Sequence, residues 1–239
     1  MTPEEFVEAL DAKGINLDSR QIQQFESYYQ FLVEWNQKIN LTAITEQKEV
    51  YLKHFYDSLA PLWLTDKIQA DKALIDIGAG AGFPSIPLAI AQPGLRVTIV
   101  DSLNKRIKFL EVLVEALGLD QVQALHGRAE DLGQDKHYRQ NFDLVTARAV
   151  AQLNVLAEYC LPFAKKGGYF LALKAQKTQT EIDQAQAAIK VLGAKLEDVL
   201  SDVLPGQGDE RTIVVIKKTL DTPNKYPRKA GKPAKQPLK

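Results

Sequence analysis

The chain has 239 residues with 30 Lys and Arg against 30 Asp and Glu, so its formal net charge is zero. Hydrophobic residues at 45% and charged residues at 25% exclude wholesale disorder, and no apolar run approaches the roughly 18 residues a membrane span needs. The lone Cys160 cannot form an internal disulfide, the three scattered histidines make no zinc site, and the acidic start MTPEEFVEAL lacks the basic region of a secretory signal, so a cytoplasmic, metal-free monomer is expected.

Helical spacing covers residues 3–12 and 19–38, with Asp18 or Ser19 as N-cap and an apolar stripe of Ile22, Phe25, Tyr29, Leu32 and Trp35 or Val33 in the second helix. A polar break from Asn36 to Thr42 follows, then EQKEVYLKHFYDSLAPLWL, which reads as one or two further helices. No strand is expected before residue 73, so 1–70 forms a helical extension. From there strands and helices alternate: strands at 73–77, 95–101, QVQALHG, 142–148 and 167–174, with helices between them, then a helix TQTEIDQAQAAIKVLG and two late strands near 194–203 and 211–218. The pattern predicts an α/β domain over 71–222 with a doubly wound, mostly parallel seven-stranded sheet. The last two strands, joined only by Pro205–Gly208, are expected to pair antiparallel.

Zero net charge argues against a nucleic-acid partner only if the charge is evenly spread. Residues 223–239 carry Lys225, Arg228, Lys229, Lys232, Lys235 and Lys239 and no acid, leaving 24 bases against 30 acids in residues 1–222. Four prolines and no apolar periodicity make this tail an expected extended, poorly ordered arm, either a solubilising terminus or one attracted to phosphate.

The first strand delivers Asp76, Gly78, Gly80, Gly82 and Phe83. Alternate glycines allow tight turns and close approach of a ligand. A dinucleotide fingerprint would place its last glycine at 83, where Phe83 stands, and an acid ahead of the loop suits an ammonium better than a pyrophosphate. Asp101 ends the second strand, where a carboxylate can accept ribose hydroxyls; Ala129 and Glu130, after the third, could read an adenine edge. Together these suit S-adenosylmethionine better than a nicotinamide cofactor.

The loop after the fourth strand, Thr146 to Val150, lacks the Asn/Asp-Pro-Pro-aromatic signature of amine methylation, and Cys160 reads as a packed core residue rather than a nucleophile. Lys174 could be half of a ribose-hydroxyl arrangement, but no acid completes it. An acceptor needing no deprotonation, such as guanine nitrogen-7, is consistent with this absence.

With Trp35-Asn36, Asn40-Leu41-Thr42, His54 to Leu59, Asp76 to Pro84, Asp101-Ser102, Lys105-Arg106, Gly127 to Glu130, Arg148-Ala149-Val150 and Tyr226 to Gly231, the chain resembles the bacterial small-subunit ribosomal RNA guanine-nitrogen-7 methyltransferases, also called glucose-inhibited division protein B. The resemblance runs from about residue 30 to the end and implies a Rossmann-like class I S-adenosylmethionine-dependent methyltransferase that modifies one guanine in the 530 loop of 16S rRNA, free or in the small ribosomal subunit. It also implies cofactor contacts at Gly78, Phe83, Ala129, Glu130 and Arg148. Ser85, where glycine is commoner, and Ala175 depart from the family pattern.

Arg148 is read as a clamp on the cofactor carboxylate or an RNA phosphate, against a plain salt bridge. Substrate-side candidates are Asn40, His54, Lys105, Arg106, Arg128 and Lys174; Lys105 and Arg106 open a helix where cations oppose the macrodipole, which favours phosphate binding over solvation. His54 and Asp57, at i, i+3 spacing, either shape the target pocket or make a cap or core hydrogen bond, and His126 and His137 read as structural. Rival readings are a small-molecule methyltransferase and an RNA-binding or cell-division factor with a vestigial cofactor pocket.

Overall fold

The computed structural model describes residues 1–148, 151–175, 179–206 and 208–239. Ala149 and Val150 of the family motif, Thr178 at the expected start of a helix and Gln207 of the late turn lie outside them. Seven strands, β1 (Ala73–Ile77), β2 (Arg96–Asp101), β3 (Val122–His126), β4 (Phe142–Arg148), β5 (Ala164–Lys174), β6 (Ala194–Val203) and β7 (Glu210–Lys218), form one sheet in the order β3-β2-β1-β4-β5-β7-β6. The first five pair in parallel; β7 runs antiparallel to both β5 and β6, as the short connection between β6 and β7 requires. The order reverses at β1 and β4, which puts a topological switch point beyond their carboxyl ends.

The helices are α1 (Pro3–Asp11), α2 (Ser19–Ile39), α3 (Gln47–Val50), α4 (Asp57–Leu59), α5 (Pro61–Leu64), α6 (Ser85–Ala91), α7 (Asn104–Leu117), α8 (Ala129–Leu132), α9 (Leu153–Cys160), α10 (Gln179–Val191) and α11 (Lys232–Lys235). Capping boxes start the first two, between Thr2 and Glu5 and between Asp18 and Gln21. The run expected to hold one or two helices is nearly continuous from α3 to α5, with a π-helical turn at Tyr51–Tyr56 that buries Tyr51, Leu52, Phe55 and Tyr56. Two buried apolar clusters sandwich the sheet. One joins α1, α2, α6 and α7; the other joins α9 and α10 and contains the fully buried Cys160.

The face that α2 buries differs from the expected stripe. Ile22 is exposed and Tyr29 half-buried, while Gln21, Gln24, Phe25, Tyr28 and Leu32 are buried. The polar heads explain it: Gln21 Nε2 donates to the Ile90 carbonyl and Gln24 Nε2 to the Leu117 carbonyl, both at 2.7 Å, and the Tyr28 hydroxyl donates to the Ala81 carbonyl at 2.6 Å. Ile90 and Leu117 lie in the last turns of α6 and α7, where carbonyls lack intrahelical partners.

The tail is the largest departure. It is not an extended loose arm but lies folded against the domain, with Tyr226, Pro227 and Pro233 buried and α11 packed on α9. Arg139 donates to the carbonyls of Thr222, Pro223 and Tyr226, and Gln134 to those of Asn224 and Pro227. Backbone carbonyls of a proline-rich segment with few amides to offer thus find side-chain donors on the domain.

Candidate active site

A cavity of about 660 Å³ opens beyond the carboxyl ends of β1, β2 and β4, inside the range of roughly 300–1,000 Å³ usual for ligand sites. Its floor is the glycine loop. Gly78 and Gly80 take positive φ of 75° and 63°, conformations that only glycine adopts without cost. A Cβ on Gly80 would meet no atom within 4 Å, so the bare backbone leaves that space to a ligand. Phe83 closes the loop, sandwiched between Tyr28 (ring centroids 5.4 Å apart) and His54 (4.5 Å).

At the β2 and β3 end, Asp101, Arg106, Arg128, Ala129 and Glu130 line the cavity. Asp101, almost wholly buried, accepts from the Gly80 amide at 3.2 Å, the Leu103 amide at 2.8 Å and Arg106 Nη1 at 3.3 Å. Arg106 is thus not a solvated cation at a helix start: Asp101 supplies the negative charge that the N-terminus of α7 favours and pairs the arginine as well. Arg128 is exposed at the rim, and the buried Glu130 accepts from the Gly231 amide at 2.9 Å.

At the β4 end, Arg148 Nη1 donates to Asp57 Oδ2 at 3.0 Å, Nη2 to His54 Nδ1 at 3.3 Å, and the guanidinium lies 4.8 Å from the centroid of the Phe83 ring. Guanidinium cannot accept, so His54 Nδ1 does, and Nε2–H donates to Thr42 Oγ1 at 2.8 Å. Burial first, and the Arg148 charge second, push the imidazole down to about 3. His54 is therefore neutral with both nitrogens engaged, a wall rather than a base. The side chain of Asn36 caps the polar break by accepting from the amides of Leu41 and Thr42, at 2.6 and 2.9 Å, and so holds both residues at the cavity.

Five expected site residues do not line this cavity. Asp76, paired in register with Thr146, is fully buried on the strand face opposite Ile77, as alternation along β1 requires, and so does not reach the place assigned to an ammonium. Neither Asp76 oxygen has a hydrogen bond of ordinary geometry among the described residues; burial pushes its carboxyl up to about 7, against the opposing pull of the nearby Ser85 and Thr146 hydroxyls and the Arg148 charge. Gly82 is a packing residue: at φ 101°, its Cβ would stand 2.6 Å from Ile86 Cγ1 and 2.9 Å from the Tyr28 hydroxyl. Asn40, at φ 29°, turns the chain out of α2 and is exposed, and Lys105 points to solvent one residue from Arg106. Lys174 is held by Glu181 at 2.5 Å and the Ala151 carbonyl at 2.9 Å. At the departure from the family pattern, the buried Ser85 hydroxyl reaches the Gly82 carbonyl at 3.5 Å.

Arg148 and His54 also form one wall of a second cavity, of about 230 Å³, lined by Lys53, Asp57, Lys174 and Arg211 among others. Asp57 bridges the two arginines, its Oδ1 lying 3.1 Å from Arg211 Nε. Lys53 pairs with Glu49, so each cation of this cavity faces a carboxylate.

Residues 21–211 match the family model GidB, rRNA small subunit methyltransferase G. The chain is 58% identical over 239 residues to the "Ribosomal RNA small subunit methyltransferase G" of Lactococcus lactis subsp. cremoris, and 57% identical over 238 residues to the protein of that name from Bacillus velezensis, covering all of this chain and at least 99% of each relative. The chain belongs to the rRNA small subunit methyltransferase G family. Solved structures share the fold of this family member at low identity. The Methanococcus jannaschii fibrillarin pre-rRNA processing protein has a TM-score of 0.52 at 20% identity, covering 65% of this chain and 70% of its own. A point mutant of the 16S rRNA (adenine(1408)-N(1))-methyltransferase from Catenulisporales acidiphilia has 0.53 at 16%, covering 66% and 89%. The sheet and its helices are those of a class I methyltransferase.

Sequence reasoning misses Tyr28, Tyr159, Gly231 and Ala234. Tyr28 holds the glycine loop from below, and the other three line the cavity. A stripe drawn through Ile22 and Tyr29 bypasses Tyr28; the glutamines at 21 and 24 mark the true buried face.

Proposed function

We propose that this methyltransferase moves a methyl group from S-adenosylmethionine to nitrogen-7 of a guanine in small-subunit ribosomal RNA, in the cytoplasm. What carries this reading is the glycine-floored cavity at the switch point of a chain that matches the family along its whole length. The residues present fit the cofactor: Gly78 and Gly80 give close backbone approach, Phe83 an apolar face, Ala129 and Glu130 a backbone and a carboxylate, and Arg148 a cation at the opposite end. When bound, S-adenosylmethionine supplies a methyl group activated by its sulfonium.

The remaining work falls to the protein's own residues. Guanine nitrogen-7 carries a lone pair and no proton, so the site has to place the base rather than deprotonate it. His54 suits that role because it stays neutral and its ring nitrogens are occupied. Positive charge grows on the guanine during transfer, and a bare cation beside it would raise the barrier. Asp57 offsets part of that charge by pairing both Arg148 and Arg211, and Asp209 gives Arg211 a second carboxylate at 3.8 Å. The second cavity, bounded by the ends of β4, β5 and β7 and sharing the Arg148–His54 wall, is the place for the unstacked nucleotide. The exposed Lys105 and Arg128 and the tail lysines are positioned to meet phosphates.

The test is incubation with methyl-labelled cofactor and 30S particles, naked 16S rRNA or free nucleosides, with mapping of the modified atom. Label on nitrogen-7 of a single rRNA guanine is expected. Label on a small metabolite would replace this reading with the small-molecule enzyme, and absence of cofactor binding by calorimetry would make the pocket vestigial.

A further inference from the structure

We propose that the C-terminal segment is part of the cofactor site: a docked clasp that walls the β3–α8 end of the cavity and positions Glu130, so that cofactor binding and clasp docking reinforce each other. The inference rests on the reading of the large cavity as the S-adenosylmethionine site.

Three observations carry it. The first is the buried carboxylate of Glu158 on α9. Its side chain is only 1% exposed, and a carboxylate taken out of water needs full compensation. Arg228 provides it from the tail: the backbone amide and Nε donate to Oε1, both at 2.8 Å, and Nη2 donates to Oε2 at 2.6 Å. The residue next to Glu158, Tyr159, lines the cavity. The buried carboxylate of the helix that shapes this wall is therefore paired from the tail.

The second is Gly231. It sits at φ 78°, where a side chain is strained even though a Cβ would meet nothing within 4 Å. That conformation lets its amide donate to Glu130 Oε1 at 2.9 Å, the one hydrogen bond that Glu130 accepts among the described residues. The carboxylate that sequence reasoning assigned to the cofactor is thus oriented by the tail and not by its own helix. The third is direct: Gly231 and Ala234 themselves line the cavity, while the neighbouring Lys232 and Lys235 face solvent. The two roles of the tail are separable along its sequence, with cavity lining at 231 and 234 and exposed lysines at 232 and 235.

A ligand that binds the docked state better than the undocked one stabilises docking by the same factor by which docking improves its affinity. Deletion of residues 229–239 removes Gly231 and Ala234 but leaves Tyr226 and the Arg228–Glu158 pair in the chain, and a cooperative thermal melt of the deletion checks that the domain stays folded. Calorimetry with S-adenosylhomocysteine should show affinity falling by about tenfold or more in this deletion. Hydrogen exchange at the Gly231 amide of the full chain should slow when S-adenosylhomocysteine is added. The pair Lys232→Ser and Lys235→Ser should keep the affinity of the full chain and lower only the salt dependence of rRNA binding. An unchanged affinity in the deletion, together with Gly231 exchange indifferent to ligand, overturns the clasp. Failure of the full chain to bind S-adenosylhomocysteine overturns instead the cofactor reading on which it rests.

Discussion

Two arginine–carboxylate clasps stand on opposite sides of one cavity, and they do different things. Arg148–Asp57 ties β4 to the N-terminal helices across 91 residues; Arg228–Glu158 ties the tail to α9 across 70. In the first, the guanidinium faces the cavity and stacks on Phe83, and its carboxylate is shared with Arg211. In the second, three donors converge on one buried carboxylate, two of them on the same oxygen. The first clasp walls the proposed reaction site, with one carboxylate shared between two guanidiniums. The second is a fastening, and what it fastens reaches the cavity only through the residues beyond it.

The difference is open to attack. Arg228→Ala strands the Glu158 charge and should cost about 3 kcal/mol of stability in urea unfolding; a loss under about 1 kcal/mol would show that Glu158 is satisfied by water and that the clasp is not a fastening. Arg148→Ala should do the reverse, lowering kcat/KM roughly a hundredfold, about 2.7 kcal/mol of transition-state stabilisation, with a smaller stability change. Arg148→Lys should rescue little, because an ammonium loses both the fork to Asp57 and His54 and the planar stack on Phe83. Full turnover in either variant would remove Arg148 from the site.

Beneath the first clasp lies a pH dependence with two opposing parts. Asp76 has a folded value raised from 3.8 to about 7, so its contribution to stability is present below about 3.8 and is lost as pH rises to about 7. His54 is lowered from 6.5 to about 3, so its contribution is present above about 6.5 and is lost as pH falls to about 3. Asp76→Asn removes only the first, and should raise stability above pH 7 by on the order of 2 kcal/mol while leaving the acid-side loss. Thermal melts across pH check this; a variant less stable than the parent at neutral pH would mean that Asp76 is ionised and paired. Gly82→Ala, which forces a Cβ against Ile86 and Tyr28 at positive φ, should cost about 2 kcal/mol, measured by the same melts. The smallest effect belongs to Lys105→Ala. Without this exposed cation to meet a phosphate, the salt slope of rRNA binding should fall by about one unit, with catalysis on saturating RNA unchanged.

Much of the sheet was legible because local pattern and tertiary fold agree. Alternating short apolar strands and amphipathic helices leave few topologies, and the brevity of Pro205–Gly208 forces the antiparallel pair. The glycine loop was legible for a related reason, since positive φ at Gly78 and Gly80 is a demand on the backbone that residue identity announces. Arg106 shows where legibility ends. Its position at a helix start suggested a phosphate partner, yet its partner Asp101 lies five residues back, around a turn whose geometry only the fold supplies. Asp76 was misplaced by proximity: it is next to the loop in sequence, but alternation along β1 turns it to the other face.

By itself, the sequence determined the α/β class, the helical character of the first 70 residues, the family and the glycine loop, because these depend on periodicities and residue types that act over a few neighbouring positions. Only the tertiary structure decided how each charge is paired. Whether a basic side chain meets phosphate or a carboxylate depends on partners many residues away, and that turned Arg228 from part of a loose cationic arm into the partner of a buried carboxylate. Zero net charge thus hides paired charges around the cavity and exposed ones at its rim, a division that composition cannot express because it is set by burial.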